Sequence, residues 1–444
     1  MERYEEYKDS GVDWIGEIPA GWRVVPFRRF LSLYKGLAIT KADLASEGVP
    51  VISYGQIHSK SNTGVATHQG LLRYVAGDCP ALQSSSLTSV GDIVFADTSE
   101  DVEGCGSAFY IDRYGVYAGY HTLIAHPSDS SSGKYLAYLF QSPEWRSQIR
   151  KRVSGVKLFS VTRRILSDCT VLQPIKSEQV AAVAYLDAKT TEIDSLVEDC
   201  DREVELLQEY RKAVISEAVT KGLDPNAPMK DSGIDWIGEI PEGWQVAQLG
   251  RLCETRNGLD YDATQVCGAS DEGSVLVIRS GNVSSGQLVL DDCLYIRKEV
   301  PDQLLLRKGD VVIVRTNGSK ELVGKSALVK TDGVGTLGAF MLLCRSRFGR
   351  YINWLLQSTM LTNYMGAFST STVNQLSNGV LRRFHVPFPA EAVQEEICNY
   401  LDAKTAEIDS LIADYQSMAD KLREYRTSLI SEAVTGKLKV PGVA

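Results

Sequence analysis

The chain has 444 residues, of which 44% are hydrophobic and 23% are charged, a composition typical of a globular protein long enough for two or three domains. Its apolar runs have the length of strands, and its N-terminus lacks the basic start and apolar stretch of a secretory signal. We therefore expect a cytoplasmic protein without a membrane span. The nine cysteines are scattered and never spaced as CxxC, which argues against a disulfide framework and a zinc site.

The net charge of −9 argues at first against a nucleic-acid partner, because DNA-binding proteins usually carry basic surfaces that neutralise phosphates. The charge is unevenly distributed, however. Residues 177–223 and 391–444 carry all of the net negative charge, whereas residues 1–176 and 224–390 are almost neutral. The two acidic stretches are predicted below to be helices, so their acidity does not exclude DNA binding by the other two segments.

A tandem repeat organises the chain. Three segments occur twice: residues 8–22 as 230–244, residues 185–196 as 400–411, and residues 216–220 as 431–435. The segments between them diverge almost completely, which indicates that the shared ends do one job twice while the middles do two different jobs. Exposed polar residues normally tolerate change. We therefore favour a shared partner that contacts the ends over duplication followed by drift.

The repeat predicts four parts. These are a domain over residues 1–176, a long helix and linker over residues 177–223, a second domain over residues 224–390, and a second long helix with a tail over residues 391–444. Within each domain, short apolar or alternating runs broken by Gly, Asn, Asp and Ser predict strands and turns. Residues 135–140 and 351–356 predict one helix in each domain. The expected fold class is α+β, with two strand-rich domains in tandem.

In the first domain, the turn after the strand at residues 49–53 contains Gly55, which lets the backbone approach a ligand. Its candidate DNA contacts are Tyr54, Gln56 and Lys60. A strand-like run later in this domain contains His121 and His126. Their spacing points them to opposite faces of a strand, so we interpret them as core or surface histidines and not as metal ligands.

The densest basic stretch of the chain has no acidic residue between Glu144 and Asp168. It could neutralise several phosphates and present arginines to guanine edges. Its candidate residues are Arg146, Arg150, Lys151, Arg152, Lys157, Arg163 and Arg164. The alternative is a solvated helix face, and we favour DNA contact because the rest of the domain is balanced in charge.

Residues 177–220 and 392–435 carry apolar residues at heptad spacing, from Leu186 to Val214 and from Leu401 to Leu429. This pattern is the stripe of a coiled coil. We expect the two stripes to face each other in an antiparallel intramolecular coiled coil, each helix being ~66 Å long at about 1.5 Å per residue. Apolar residues beside the stripe leave surface that another protein could cover, and the repeated peptide adds one tryptophan in each copy. The candidate partner contacts are Leu196, Tyr210, Leu411, Tyr425, Trp14 and Trp236.

Three loops of the second domain contain candidate DNA contacts. Asn and Gln suit adenine edges, Arg suits guanine, and hydroxyls suit phosphates. The candidates are Arg279 and Asn282 in the first loop, Arg315, Asn317 and Lys320 in the second, and Thr370, Thr372, Asn374 and Gln375 in the third. An ordinary polar surface loop is an equally good interpretation of the third.

The motifs together resemble a known family. They include Asp-Trp-Ile-Gly-Glu-Ile-Pro-x-Gly-Trp in both copies, Gly-Asp-[Ile/Val]-Val in both domains, and Leu-Asp-x-Lys-Thr-x-x-Ile-Asp in both helices, each followed by Ser-Glu-Ala-Val-Thr. Their order and duplication resemble the specificity subunit of type I restriction-modification enzymes over essentially the whole chain.

The resemblance implies a non-catalytic subunit with two target-recognition domains, each of which reads one half of a split site in double-stranded DNA. It implies that the helices hold these domains apart and dock two modification (methyltransferase) subunits that carry S-adenosylmethionine. It further implies a restriction subunit that uses ATP. No cofactor is expected in this chain.

Two questions remain open: whether the domains bind DNA or proteins, and whether the two domain-to-helix joints have the same geometry. We find neither an Asn/Asp-Pro-Pro-aromatic methyltransferase motif nor a dinucleotide GxGxxG motif. The main alternative to a DNA-reading adaptor is a coiled-coil scaffold whose domains bind proteins, which agrees with their near-neutral charge. The first domain ends in Leu-Gln-Pro-Ile-Lys and the second in Val-Pro-Phe-Pro-Ala, so the two domain-to-helix joints need not share one geometry.

Overall fold

The computed structural model describes residues 3–319, 322–367 and 375–443. The chain divides into two compact units. Unit 1 comprises Met1–Cys200 and Ser417–Ala444, and unit 2 comprises Asp201–Gln416. Each unit contains one strand-rich domain and one segment of each of two long helices.

Domain 1 (residues 3–175) precedes the first long helix. Its strands are β1 (Tyr7–Asp9), β2 (Glu17–Pro19), β3 (Arg23–Pro26), β4 (Leu31–Lys35), β5 (Leu44–Ala45), β6 (Val49–Ile52), β7 (Arg73–Val75), β8 (Ile93–Ala96), β9 (Thr98–Ser99), β10 (Ala108–Tyr110), β11 (Tyr117–Ala118), β12 (Thr122–Pro127), β13 (Phe159–Ser160) and β14 (Thr170–Gln173). Its helices are α1 (Phe27–Phe30), α2 (Tyr54–Ile57), α3 (Gly133–Gln141), α4 (Pro143–Arg150) and α5 (Arg163–Ser167). The first long helix is α6 (Lys176–Lys221).

Domain 2 (residues 229–390) lies between α6 and the second long helix. Its strands are β15 (Met229–Asp231), β16 (Glu239–Pro241), β17 (Gln245–Gln248), β18 (Glu254–Asn257), β19 (Val266–Cys267), β20 (Val275–Ile278), β21 (Val283–Ser284), β22 (Gln287–Leu288), β23 (Leu294–Ile296), β24 (Val311–Val314), β25 (Ser326–Leu328), β26 (Thr336–Leu337), β27 (Met341–Arg345) and β28 (His385–Phe388). Its helices are α7 (Leu249–Leu252), α8 (Gly349–Gln357), α9 (Thr359–Ala367) and α10 (Asn378–Arg383). The second long helix is α11 (Glu391–Val434).

The two domains share one topology despite their divergent sequences. In domain 1, one sheet has the order β4-β12-β8-β10 and the other has the order β5-β7-β6-β11. In domain 2, the corresponding orders are β18-β27-β24-β25 and β19-β23-β20-β26. A strand pair closes each domain, β3 with β14 and β17 with β28. The central strands β8 and β24 are buried along their whole length, which accounts for their continuous apolar sequences.

The Gly-Asp motif forms the turn that starts each central strand. Gly91 and Gly309 have φ of +96° and +91°, a left-handed conformation that glycine adopts without steric cost. Asp92 and Asp310 are 3% and 2% exposed. In both domains this carboxylate accepts a backbone N–H from three residues earlier, at 2.8 Å. The motif is therefore a structural element common to both domains.

The long helices pair antiparallel. In unit 1, Asp194 in the first half of α6 forms an ion pair with Arg426 in the second half of α11, with Nε–Oδ1 at 2.7 Å. In unit 2, Arg211 in the second half of α6 forms an ion pair with Asp409 in the first half of α11, with Nε–Oδ1 at 2.8 Å. Each arginine also reaches the second carboxylate oxygen at 3.3 Å.

These two ion pairs use the same two positions of the repeat with the helices exchanged. The heptad residues Leu186, Ile193, Leu401 and Ile408 are buried, as the stripe requires. The predicted coiled coil and the α+β fold class are confirmed. The predicted helix spans of 177–220 and 392–435 each lie within one residue of the observed ends.

Each domain packs against segments of both helices. The core of domain 1 continues into Leu186 of α6 and into Leu429 and Val434 of α11. The core of domain 2 continues into Val219 of α6 and Leu401 of α11. Burying a large aliphatic side chain stabilises the fold by roughly 1.5–3 kcal/mol, so these contacts fasten the domains to the helices.

The repeated peptide packs against the repeated helix end. In unit 1, Gly436 follows α11 with φ of +76°, and a Cβ on it would lie 2.4 Å from Cδ of Pro19 and 3.3 Å from the ring of Trp22. In unit 2, Gly222 follows α6 with φ of +78°, and a Cβ on it would lie 3.1 Å from the ring of Trp244. Both tryptophans are buried. Packing within the chain thus explains why these repeated residues are alike in both copies, whereas the sequence alone favoured contact with a shared partner as the reason.

The two domain-to-helix joints share one hydrogen bond in spite of their different sequences. Gln179 donates its Nε2 to the carbonyl of Pro174 at 2.9 Å, and Gln394 donates its Nε2 to the carbonyl of Pro389 at 2.8 Å. Both glutamines are 4% exposed. None of the helices in the described part of the chain has the length and apolar character needed to cross a lipid bilayer.

We expect Gly436→Ala to destabilise unit 1 more than Gly11→Ala does. Both glycines are left-handed, with φ of +76° and +71°, which costs alanine on the order of 1–2 kcal/mol. At Gly11 the added Cβ would meet nothing within 4 Å, whereas at Gly436 it overlaps Pro19 and adds roughly 1–3 kcal/mol. Hydrogen exchange of residues 417–436 across a urea titration measures the difference. Equal losses for the two variants would contradict the packing of Gly436 on Pro19.

Candidate nucleic-acid interface

Three loop segments of domain 1 meet where the central strand β8 ends. The N–H of Asp97, the first residue after β8, donates to the carbonyl of His121 at 3.1 Å, and its carbonyl accepts from Val161 at 2.8 Å. Ser160 of β13 pairs with Thr98 of β9. Backbone hydrogen bonds therefore join the loop after β8, the turn before β12 and the end of the basic stretch.

The turn of α2 lies beside these segments. Gly119 donates its N–H to the carbonyl of Ile52 at 2.7 Å, and His58 Nε2 lies 2.9 Å from the carbonyl oxygen of Thr98. The ring of Tyr54 contacts those of Tyr120 and His121, with centroids 5.7 and 5.5 Å apart. Residues 54–58, 97–99, 119–121 and 159–160 are together called the loop edge of domain 1.

The predicted contacts Tyr54 and Gln56 lie at this edge and are partly exposed. Gln56 accepts the N–H of Ser53 at 3.2 Å through Oε1, so its amide nitrogen is the end available to a ligand. Burial raises the pKa of Tyr120, and the neighbouring Tyr54 raises it further. Lys60, just beyond the turn, is exposed.

Domain 2 has a loop edge of the same construction. Arg315, the first residue after β24, donates its N–H to the carbonyl of Phe340 at 2.8 Å and accepts at its carbonyl from Leu376 at 2.8 Å. Gly338 donates to the carbonyl of Ile278 at 3.0 Å, as Gly119 does to Ile52. Residues 279–283, 315–317, 338–340 and 375 form this loop edge.

Two of the predicted contacts in domain 2 bind each other. With its amide oriented to match donors with acceptors, Gln375 accepts at Oε1 from Nε and Nη2 of Arg315, at 3.1 and 2.7 Å. Both residues lie at the loop edge, where Arg315 is partly exposed and Gln375 is exposed. Asn317 is partly exposed in the same loop. The predicted contacts Lys320, Thr370, Thr372 and Asn374 lie outside the described residues.

Asn282 is a correction to the sequence-based prediction. It is 2% exposed, its Nδ2 donates to the carbonyls of Val289 and Asp292 at 3.0 Å, and its Oδ1 accepts the N–H of Arg279 at 3.0 Å. A side chain so fully engaged shapes the turn and does not reach DNA. Arg279 itself is partly exposed and forms an ion pair with Asp292, with Nη2–Oδ2 at 3.4 Å.

The basic stretch of domain 1 divides into two groups. Arg146 donates to the carbonyl of Phe140 and to Oε1 of Gln141, both at 2.8 Å, and Arg150 forms an ion pair with Glu103 at 2.8 Å. Burial and, to a smaller extent, the nearby charge of Arg150 lower the pKa of Arg146 to about 10. Internal partners hold both arginines, which makes them weaker candidates for DNA contact.

The second group is exposed and extends toward the loop edge. It consists of Lys151, Arg152, Lys157, Arg163 and Arg164. Within this group, Arg152 also donates Nη1 to Sγ of Cys169 at 3.6 Å. The side chain of Arg164 is 92% exposed, and its Nε lies 3.9 Å from Asp168, a separation at which a surface ion pair contributes little. These cations remain available to neutralise phosphates.

Sequence reasoning missed two side chains at the loop edges, His121 and Phe340. The side chain of His121 is 58% exposed, and Phe340 is 68% exposed. His121 precedes strand β12 and does not lie within it, so the strand alternation used to interpret it did not apply. The available signal was the alignment of the two domains, which places both residues immediately before the strand that neighbours the central one.

The predicted partner contacts differ in exposure. Leu196, Leu411, Tyr210 and Tyr425 are each 46–50% exposed, as expected. Trp14 and Trp236 are partly buried: Trp14 donates Nε1 to Oγ1 of Thr170 at 2.8 Å, and Trp236 donates Nε1 to the carbonyl of His385 at 3.2 Å. Both tryptophans thus fasten the repeated peptide to their own domain, and their contact with a partner stays a prediction.

Within the described residues, no group of three or more His, Cys, Asp or Glu side chains is arranged to hold a metal ion. The cysteines are all free thiols. The loop edges instead present amides, hydroxyls, rings and cations, the groups that recognise base edges and phosphates.

The chain is similar to known specificity subunits. It is 27% identical over 206 residues to the specificity subunit of the type I restriction enzyme EcoKI of Escherichia coli K12, covering 45% of this chain and 44% of that subunit. It is 21% identical over 340 residues to the MjaVIII specificity subunit of Methanocaldococcus jannaschii, covering 74% and 76%. The first of these matches spans less than half the length of the relative. No family model matches the chain.

A solved structure shares the fold. The chain superposes with a TM-score of 0.69 on a chain from a type I restriction-modification system described for its assembly and conformational transition, at 16% identity, over 95% of this chain and 99% of that one. The resemblance inferred from the motifs is confirmed, since the sequence relatives are type I specificity subunits.

We expect Lys157→Ala and Arg164→Ala each to weaken binding to every DNA duplex and to make the negative slope of log K against log salt shallower by about 0.9, the value for one lost phosphate contact. Arg146→Ala is the matched control. It should leave that slope unchanged and reduce stability by roughly 1–3 kcal/mol, because it leaves the Phe140 carbonyl and Gln141 unpaired. Fluorescence anisotropy with duplex DNA at several salt concentrations measures the slopes. If only Arg146→Ala made the slope shallower, Arg146 would be the phosphate contact and the exposed cations would not.

Proposed function

We propose that this chain is the DNA-reading subunit of a type I restriction-modification enzyme, in which domain 1 and domain 2 each read one half of a split site in double-stranded DNA. One observation carries the proposal. Both domains bring the same loops to the same strand end through the same backbone hydrogen bonds, yet place different side chains there. Two domains that share a backbone arrangement but carry different side chains at its loop edge are suited to reading two different half-sites.

The side chains suit different bases. At the loop edge of domain 2, Arg315 and Gln375 bind each other, and the N–H groups that remain outside this pair suit acceptors on base edges such as guanine O6 and N7. At the loop edge of domain 1, Gln56, Thr98 and Ser160 offer amide and hydroxyl groups. The exposed cations from Lys151 to Arg164 bind phosphates and fix the position of the domain on the duplex.

The helices, in this proposal, set the gap between the half-sites and dock the modification subunits. The exposed apolar residues support docking because they match across the repeat: Leu196 corresponds to Leu411, and Tyr210 to Tyr425. Unit 1 carries Leu196 and Tyr425, and unit 2 carries Leu411 and Tyr210. Two equivalent patches fit two copies of one partner.

The chemistry belongs to the partners. We propose that the two modification subunits carry S-adenosylmethionine and methylate the DNA, and that a restriction subunit supplies ATP-dependent action on it. This chain then contributes recognition alone. A scaffold that binds proteins is the second candidate, favoured by the near-neutral charge of the domains. Gel shifts with duplex DNA, with and without modification subunits, separate the two functions.

The test of the proposed function is a domain exchange. Replacing residues 23–175 with the equivalent segment of a relative should change one half of the methylated sequence and leave the other half and the gap unchanged. Sequencing of methylated sites in cells that carry the modification subunits reads out both halves. An exchange that alters both halves together, or neither, would refute one domain for one half-site.

We expect helix length to set the gap. Inserting one heptad after Cys200 and another after Gln416 keeps the pairing within each unit and adds ~10 Å of helix, about three base-pair steps. The half-sites should be retained, and their permitted separation should change or methylation should cease. The control is a seven-residue insertion after Pro225, in the exposed linker that follows α6, which should preserve the gap. Equal effects of the two insertions would contradict a spacing role for the helices.

The docking proposal predicts a stepwise loss of partner. The double variant Leu196→Glu/Tyr425→Glu should bind one modification subunit in place of two, and adding Leu411→Glu and Tyr210→Glu should abolish binding. Native mass spectrometry counts the bound subunits. Leu206→Glu is the control, since Leu206 is 51% exposed and its repeat counterpart is the charged Lys421. Retention of two subunits by the first variant would exclude this surface.

A further inference from the structure

An exposed ring stands at the same position of each loop edge. In domain 1 it is His121, with a side chain 58% exposed, and in domain 2 it is Phe340, 68% exposed. Each ring belongs to the residue whose carbonyl accepts the N–H of the first residue after the central strand. The repeat thus preserves the position while changing the chemistry from a polar ring to an apolar one.

The backbone at His121 is held in an unfavourable conformation. Its φ is +55°, in the left-handed region that few residues other than glycine adopt. Among the described residues, the only other non-glycine with positive φ is Ser285. A histidine kept where glycine would be less strained points to a use for the side chain.

The contacts of His121 define which ring atom is free. Nδ1 lies 3.2 Å from Oδ1 of Asp97, and the same oxygen accepts from Oγ1 of Thr98 at 2.7 Å. When the ring is neutral and donates its Nδ1 proton to this carboxylate, Nε2 is left as an acceptor. Phe340 presents no polar group, and a large exposed apolar ring at a polar edge suits an apolar feature of its partner.

We propose that His121 and Phe340 are base-contacting residues, each belonging to the half-site of its own domain. His121 Nε2 accepts from the exocyclic amino group of an adenine or cytosine, and the Phe340 ring packs against the C5-methyl group of a thymine in the major groove. This inference rests on the proposed function and specifies which side chains discriminate bases.

The Phe340 contact is tested by removing the methyl group from the DNA. The complex of the full chain with its modification subunits is titrated with duplexes of the mapped site, in which deoxyuridine replaces each thymine of the second half-site in turn. The wild-type complex should lose about fourfold in affinity at one position, the effect of one buried methyl group. Phe340→Ala should bind the thymine and deoxyuridine duplexes equally at that position.

The control for Phe340 is Leu305→Ala. Leu305 is also an exposed apolar residue of domain 2, but its carbonyl accepts from Arg345, which pairs with Asp310 at the start of β24. It therefore lies at the other end of the central strand and should leave the discrimination intact. Loss of discrimination in this control, or full discrimination by Phe340→Ala, overturns the assignment.

The His121 contact is tested with His121→Gly and His121→Ala. Both should relax one position of the first half-site in the methylated sequences and leave the second half-site unchanged. Glycine adopts positive φ freely, so His121→Gly should also unfold at the same or a higher urea concentration than the wild type. A merely structural histidine would lose stability and keep its sequence preference. Tyr114→Ala, which changes another exposed ring of domain 1, is the control.

The outcomes separate this inference from the proposed function. If the wild-type complex methylates no defined sequence, the proposed function fails. If it methylates a defined split sequence and the His121 and Phe340 variants methylate the same one with unchanged breadth, the inference fails while the function stands.

Discussion

The packing of each domain against two helix segments that are distant in sequence is the constraint on which the rest of the structure depends. Tyr135 of domain 1 donates its hydroxyl to the carbonyl of Val434 in α11 at 3.2 Å, and Tyr351 of domain 2 donates to the carbonyl of Val219 in α6 at 3.4 Å. Burial raises the pKa of both phenols well above the usual range. The core of domain 1 is therefore complete only after the last helix of the chain has formed, and such long-range closure makes folding slow.

This constraint gives the repeated segments a physical meaning. Much of the identity between the copies falls on residues that pack on one another within the chain: Trp22 and Trp244 on the helix-ending glycines, Asp194 and Asp409 on the paired arginines. A partner is not needed to explain those positions. Packing within the chain does not explain the repeated apolar residues Leu196 and Leu411, which are each 47% exposed.

The heptad spacing of apolar residues and the tandem duplication made the long helices and the two-domain layout predictable from the sequence. The heptad stripes fixed the helices to within one residue, and duplication fixed the number of domains. The loop edges were harder, because their formation depends on contacts between segments far apart in sequence. Nothing local distinguishes Arg146, held by the Phe140 carbonyl, from Lys157, which is exposed. Likewise, Asn282 has an amide side chain of the kind that suits adenine. Only the structure shows that this residue is buried in the turn and that its amide is bonded to the backbone of its own loop.

The loop edges also show how one fold can carry different side chains at equivalent positions. Asp97 and Arg315 occupy the same position after the central strand and have opposite charges. That exchange is tolerated because the position is defined by the backbone: its N–H donates to the carbonyl before the next strand, and its carbonyl accepts from the segment before α5 or α10. Neither bond involves the side chain. Each side chain then recruits its own neighbours, Thr98 and His121 for Asp97 and Gln375 for Arg315. Since the frame does not depend on the charge, substitution at these positions can change which groups the loop edge presents without changing where it presents them.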